Sequence, residues 1–290
     1  MPELVLPPGL AVVVLGLLSA VSWGTADYGG GLTARRASIW GVLLFSQAIG
    51  MVIALGLAFS RGEAAPSAAD LGWAVVSGCL GVVGLTSLYH GLAFGRMAVV
   101  APVSGVLGAV TPVLAGFLLE GPPGAAVVVG IGLALVAVVL VSLVPGDAGA
   151  RPSGLRYGLL AGLGIGLFNI TISRVSDGLV FGPLVVVRGT EVVLLTLVIV
   201  AARRTWRLPR PSWPVIAVVG LLDMLGNAFF IAAAQIGALA VASVLSSLFP
   251  VTTIVLAIVL LREPVSRHHA AGIACAIVAI ALIAGGSTAA

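Results

Sequence analysis

Long apolar stretches, separated by short clusters of Arg, Gly and Pro, run through this 290-residue sequence from end to end. A helix that crosses the hydrocarbon core of a bilayer needs about 20 such residues, so the chain has room for about ten spans and little else. Hydrophobic residues make up 60% of the sequence and charged residues 8%, whereas about a quarter of the residues in a soluble protein are charged. We therefore predict an all-α membrane protein with ten transmembrane helices.

The bounds of the predicted helices follow the Arg, Gly and Pro clusters. Strands are excluded because an open sheet leaves backbone groups unpaired in lipid, and a barrel requires an alternation of period two that these apolar runs lack. The predicted helices 1 to 10 are 9–30, 39–59, 71–93, 98–119, 124–144, 155–175, 181–202, 213–235, 239–261 and 268–286.

An internal repeat divides the sequence into two halves. A shift of 142 residues, the separation of Gly24 and Gly166, also aligns Asp27 with Asn169 and glycines of helices 3 and 5 with glycines of helices 8 and 10. An odd number of spans per unit inverts the second unit, and inverted repeats are typical of transporters with a substrate site near the bilayer midplane. We expect a central cavity between helices 1, 3 and 4 and helices 6, 8 and 9. The predicted five-helix units are 9–144 and 155–286.

The arginines predict an orientation. The odd-numbered connections carry eleven of them and the even-numbered connections two, which places the odd-numbered connections in the cytoplasm and both termini outside the plasma (inner) membrane. The eleven are Arg35, Arg36, Arg96, Arg151, Arg156, Arg203, Arg204, Arg207, Arg210, Arg262 and Arg267, and the two are Arg61 and Arg174.

A recurring pattern marks the first helix and both fourth helices. Helix 1 contains Trp23–Gly24, and helices 4 and 9 contain an Ala-rich approach to a proline, at 98–112 and 242–250. Each of these stretches is followed by a glutamate, Glu120 or Glu263, and then by a Gly-rich helix.

Helix 7 adds Pro183 and Arg188, where the first unit has Ser46 and Gln47. In these features the sequence resembles the EamA family of the drug/metabolite transporter superfamily over nearly its whole length. The resemblance implies ten helices around a central cavity and the export or exchange of small metabolites, often amino acids.

Polar side chains within spans are costly in lipid and are therefore candidates for function. Arg188 and Glu191 either neutralise each other or bind substrate or protons, and Asp223 either meets Arg188 or carries a proton. Asp27 and His90 lie near helix ends, where solvation is the alternative. The candidates for substrate binding or coupling are Trp23, Asp27, Tyr89, His90, Asn169, Arg188, Glu191, Asp223, Asn227, Ser243, Ser246 and Ser247.

Prolines predict kinks in helices 4 and 9. Pro102, Pro112 and Pro250 each remove a backbone donor, and helices broken at related places in two halves point to a transport site. The serines of helix 9 either bind substrate or stabilise its kink.

These features predict a secondary active transporter, an exporter of small metabolites such as amino acids that works by alternating access. We expect a small-molecule substrate, membrane lipid and coupling protons as partners, and no enzymatic activity, cofactor, metal or nucleic acid. Exchange of phosphorylated metabolites or nucleotide sugars is an alternative, but it requires several buried cations and Arg188 is the only one away from the ends of a predicted span. A non-transporting membrane partner protein is the other alternative.

Overall fold

The computed structural model describes residues 7–34, 36–94, 97–142, 154–261 and 267–288. Helices fill nearly all of these ranges, which contain no strand, and a short 3₁₀ turn, Arg210–Ser212, precedes the eighth helix. The helices are α1 Pro8–Ala34, α2 Ile39–Arg61, α3 Ala68–Phe94, α4 Met97–Glu120, α5 Ala125–Ser142, α6 Leu155–Ile172, α7 Phe181–Ala201, α8 Trp213–Ile236, α9 Leu239–Ser246, α10 Phe249–Leu261 and α11 Arg267–Thr288.

These helices form ten membrane spans. In the ranges given above, nine helical stretches are long and apolar enough to cross a bilayer, and α5 is a shorter apolar helix, Ala125–Leu140. The short α9 and α10 together make one span, Leu239–Leu260. Large apolar side chains such as Phe59 and Leu118 point outward from the bundle, as expected where lipid is the solvent. The prediction of an all-α membrane protein is confirmed.

Helices pack mainly against helices of the other half. α1 contacts α8, and the repeat relates this pair to α6 and α3, which also pack together. α2 packs on α7, and α5 packs on α11, so each of these pairs contains corresponding helices of the two units. This reciprocal pairing is the arrangement expected of two inverted units that share one interface.

Glycines allow the helices at this interface to approach closely. A Cβ added to Gly164 of α6 would lie 2.8 Å from the Cα of Gly84 in α3, so the two backbones touch directly. At the related crossing of α1 and α8, Gly226 leaves the space that the indole of Trp23 occupies. The hydroxyl of Ser19 donates to the carbonyl of Gly226 at 2.8 Å, which joins the same two helices.

The ninth predicted helix is broken. α9 ends at Ser246 and α10 begins at Phe249, so the break falls in the turn before Pro250. Pro250 is the second residue of α10, where the missing N–H has no partner within the helix. Thr253 in the first turns of α10 donates to the carbonyl of Gly24 at 3.0 Å, which fixes the broken segment against α1.

The fourth helix has no break, unlike the ninth, and the kinks predicted at its prolines stay a prediction. α4 runs without a break from Met97 to Glu120 and passes through both Pro102 and Pro112. A proline inside a membrane helix removes one hydrogen bond, and tight neighbours allow the helix to continue past that defect. The two halves therefore differ in backbone geometry at related places.

Carboxylates of the first half bind peptide N–H groups of the second half at one end of the bundle, which we call the N-terminal face. This face contains the start of α1 and the connections 62–67, 121–124, 173–180 and 237–238. Glu63 accepts hydrogen bonds from Phe181 at 2.9 Å and Gly182 at 2.8 Å, at the positive end of α7. Glu120 accepts from Leu239 at 2.9 Å, at the start of α9. Its counterpart Glu263 lies outside the described residues, as do Arg35, Arg96, Arg151 and Arg262.

The loop between α6 and α7 is held at the same face. The carboxylate of Asp70 accepts from the N–H of Ser176 at 2.8 Å and from its hydroxyl at 2.9 Å. The same carboxylate accepts from the N–H of Ser67 at 2.9 Å, which caps the start of α3. The side chain of Gln235 donates to the carbonyl of Leu179 at 2.9 Å. The N-terminal face is thus closed by bonds that join the two halves.

The direct contact of α3 and α6 predicts a strong effect of substitution at Gly164. We expect Gly164→Leu to lower the free energy of unfolding by about 1–3 kcal/mol or more, because the added side chain must displace backbone atoms. The matched control is Gly132→Leu, since an added Cβ there meets nothing within 4 Å. Thermal unfolding of both purified variants in detergent checks this, and equal stability of the two would contradict the proposed packing.

Candidate functional site

A cavity of about 80 Å³ lies at the centre of the bundle, where the two halves meet. Helices α1, α3, α4, α6, α7 and α8 and the break between α9 and α10 contribute its walls, so α7 joins the helices expected from the sequence. Eight of the twelve candidate side chains line it: Trp23, Asp27, Asn169, Arg188, Glu191, Asp223, Asn227 and Ser247.

The guanidinium of Arg188 is the centre of the charged wall. Its Nη1 lies 2.8 Å from Oδ2 of Asp223 and 3.0 Å from Oε2 of Glu191. The side chains of Arg188 and Glu191 are both 2% exposed, whereas that of Asp223 is 20% exposed. Arg188 therefore contacts Glu191 on its own helix and also meets Asp223 from α8, whereas a role of these residues in substrate or proton binding stays a prediction.

Gln47 completes this network, and sequence reasoning did not include it among the candidates. Its side-chain oxygen accepts from Nη1 of Arg188, and its amide nitrogen donates to Asp223 at 3.4 Å. Gln47 is almost fully buried in α2, next to Ser46, which the repeat relates to Arg188. A polar amide within an apolar span was the signal that could have identified it.

Gly81 provides the space for the carboxylate of Glu191. A Cβ at this position would overlap Oε1 of Glu191, so a larger residue in α3 would displace that carboxylate. The repeat pairs Gly81 with Asp223. One half therefore supplies a charge at this position and the other half supplies room for a charge.

Several buried polar atoms in or near the cavity have no hydrogen-bond partner among the described residues. They include Nε and Nη2 of Arg188 and Oδ1 of Asn169. Buried polar groups in proteins are usually paired, and an unpaired one carries a desolvation penalty. Two donor nitrogens and one acceptor oxygen thus remain for a ligand or for water.

Apolar and aromatic surfaces form the rest of the cavity. The indole of Trp23 lines it and packs against Phe230 in a tilted arrangement, with 5.9 Å between ring centroids. The other lining residues, which the sequence did not single out, are Gly81, Leu85, Leu88, Ser104, Gly108, Ile165, Phe168 and Phe249. A cavity with an apolar wall and a small number of charged groups is typical of a site for a small amphipathic ligand.

The remaining candidates lie outside the described cavity wall. The hydroxyl of Tyr89 packs against Gly30 of α1, and Nδ1 of His90 hydrogen-bonds the carbonyl of Thr86 at 2.8 Å. Ser243 and Ser246 are buried in α9. Asp27, in contrast, lines the cavity, about two turns before the end of α1.

Comparison with known proteins agrees with this arrangement. The chain belongs to the EamA-like transporter family, whose model matches residues 10–143 and again residues 152–285. It is therefore an integral membrane protein of a transporter family. A solved structure described as "Crystal structure of protein" has the same fold, with a TM-score of 0.75 and 17% identity over 93% of this chain and 97% of that chain. No curated protein matches this chain significantly.

The ion pairs of Arg188 predict how substitutions of the three charged residues change the free energy of unfolding. Arg188→Met leaves two carboxylates without their cation, so we expect the free energy of unfolding to fall by about 3–5 kcal/mol. Neutralising Glu191 and Asp223 in the same chain, as Glu191→Gln and Asp223→Asn, removes that penalty and should restore more than half of the loss. Thermal unfolding in detergent measures both. If the triple variant is no more stable than Arg188→Met alone, the charges do not stabilise one another in the way the geometry indicates.

Proposed function

We propose that this protein is a secondary active transporter that exports small metabolites such as amino acids across the plasma (inner) membrane by alternating access. The observation that carries the proposal is the charged and incompletely paired cavity at the interface of two inverted halves. Ionisable groups at this depth in a membrane protein are costly, and they usually mark the path of a substrate or an ion.

The chemistry of the cavity supports a small amphipathic ligand. The unpaired nitrogens of Arg188 can bind a carboxylate, the oxygen of Asn169 can accept from an amine, and Trp23 and Phe168 offer apolar surface. A free amino acid carries all three of these groups. A phosphorylated metabolite fits less well, because three carboxylates line the described cavity against one guanidinium.

The distribution of contacts supports alternating access. The N-terminal face is closed by Glu63, Asp70 and Glu120, whereas the cavity extends the other way, to Asp27 and Leu88, which lie about two turns from the far ends of α1 and α3. Inverted units can exchange these roles, so that the opposite face closes when the N-terminal face opens. With the arginine-rich connections in the cytoplasm, the N-terminal face closed by these carboxylates is the outer one.

Proton coupling is proposed at Asp223. This carboxylate is the more exposed of the two that contact Arg188, and a proton bound to it would weaken one of the two ion pairs. The substrate carboxylate and Asp223 can thus compete for the same guanidinium, which links substrate binding to the protonation of Asp223.

Transport by purified protein in liposomes tests the proposal. We expect amino acids from a broad panel to move in exchange for internal substrate, and a pH gradient to drive their accumulation. If none of the panel moves while the protein is folded and inserted, the proposed class of substrate is wrong.

Asp223→Asn should separate coupling from substrate exchange. Because an amide cannot carry the proton, we expect accumulation driven by a pH gradient to be lost while one-for-one substrate exchange persists. The matched control is Asp177→Asn, which removes an exposed carboxylate from the N-terminal face. Unchanged accumulation in the Asp223 variant would show that this residue is not the coupling group.

The closed N-terminal face predicts that Glu63 restrains opening. In a background without Cys79 and Cys275, we expect Glu63→Ala to increase the rate at which a thiol reagent labels Ile172→Cys severalfold. Ile172 is fully buried between the cavity and this face, so labelling requires that the face opens. Asp177→Ala serves as the control. The same rate with and without Glu63 would rule out its role as a restraint.

A further inference from the structure

Two positions that the repeat relates to each other face the same cavity with different chemistry. Asp27 of α1 and Asn169 of α6 are separated by the repeat shift of 142 residues, and both line the cavity. One half therefore presents a carboxylate and the other half a neutral amide of nearly the same shape. The cavity wall at these two positions is therefore symmetric in location but asymmetric in charge.

Asp27 differs from the other two carboxylates of the cavity. Glu191 and Asp223 both contact Arg188, whereas no ion pair involves Asp27 among the residues that the structure describes. The described wall thus holds three carboxylates and one guanidinium, an excess of two formal negative charges. In a medium of low dielectric constant, a ligand with positive charge relieves the repulsion among these groups.

Asn169 supplies an independent indication of what this part of the cavity binds. Its side chain is 4% exposed, and its Oδ1 has no donor among the described residues. Burial also keeps bulk water from that oxygen. An ammonium group has three donors and no acceptor, so it can satisfy a carboxylate and an amide oxygen together.

Trp23 adds a third element on the same face of α1. It precedes Asp27 by one helical turn, which places the two side chains next to each other, and both line the cavity. The face of an indole ring attracts a cation within about 6 Å, and this attraction is stronger when the cation is desolvated. A carboxylate, an unpaired amide oxygen and an indole together suit a protonated amine.

We propose that Asp27 and Asn169 form an ammonium subsite, which makes the protein selective for substrates with a net positive charge. Basic amino acids and amino-acid amides belong to this class, because each carries one more cationic group than it has carboxylates. In a basic amino acid, the carboxylate meets the unpaired nitrogens of Arg188 and one of the two cationic groups occupies the subsite. This proposal rests on the proposed transport function, and it names the charge of the substrate.

Binding of matched ligands to the purified protein in detergent tests the subsite without any requirement for transport. Lysine and norleucine have the same carbon chain, but only lysine carries a terminal ammonium. We expect lysine to bind at least about tenfold more tightly than norleucine, as a charge-assisted hydrogen bond would give. Equal affinity of the two ligands would overturn the proposal.

The decisive variants move the carboxylate from position 27 to position 169, which the repeat relates to it. Asp27→Asn should abolish the preference for lysine over norleucine, and the double variant Asp27→Asn with Asn169→Asp should restore it, because the carboxylate then faces the same cavity from the related position. Asp177→Asn controls for the loss of a carboxylate elsewhere. A preference that survives Asp27→Asn overturns the subsite, and so does a folded double variant that does not regain the preference.

Transport assays separate this proposal from the proposed function. If lysine binds selectively but does not cross the membrane of liposomes, the subsite stands and the transport function fails. If norleucine and lysine are transported equally well and bind equally well, transport stands and the subsite fails.

Discussion

The ion pairs of Arg188 are the interaction on which the rest of the site depends. One guanidinium nitrogen joins Glu191 of α7, Asp223 of α8 and Gln47 of α2, so three helices from both halves meet at one buried charge. In lipid these helices gain little from burying apolar surface, and packing and polar contacts decide how they associate. Because three acceptors share that nitrogen, the network joins the helices. The other two nitrogens of the guanidinium, Nε and Nη2, lack partners among the described residues, so the network still has binding capacity.

The two halves of the repeat supply different functional groups to the cavity and to the N-terminal face. The second half supplies the guanidinium and two of the cavity carboxylates, and it contains the broken helix. The first half supplies Glu63, Asp70 and Glu120, the carboxylates that close the N-terminal face. In an inverted repeat with identical halves, the two open states would have equal free energies. In this structure the carboxylates that close the N-terminal face all come from one half.

Much of the fold follows from the sequence, because the lengths of the apolar stretches and the internal repeat depend only on the order of residues along the chain. Residues such as Arg188 and Asp223 could be identified because charge within a span is conspicuous, although their contact depends on how α7 meets α8. Gln47 and Gly81 could not be identified in this way, since their roles exist only through partners distant in the chain. Pro112 and Pro250 look alike in sequence, yet only the helix of Pro250 is broken, because the outcome depends on the packing around each proline.

The bonds that close the N-terminal face have a consequence for which amino-acid substitutions they tolerate. Glu63 and Glu120 bind peptide N–H groups, which every residue except proline possesses. These bonds therefore do not involve the side chains at 181, 182 and 239, whereas a proline at any of these positions would remove a donor. These bonds therefore constrain the two halves differently. They require specific acidic side chains in the first half, and in the second half they require only a peptide N–H.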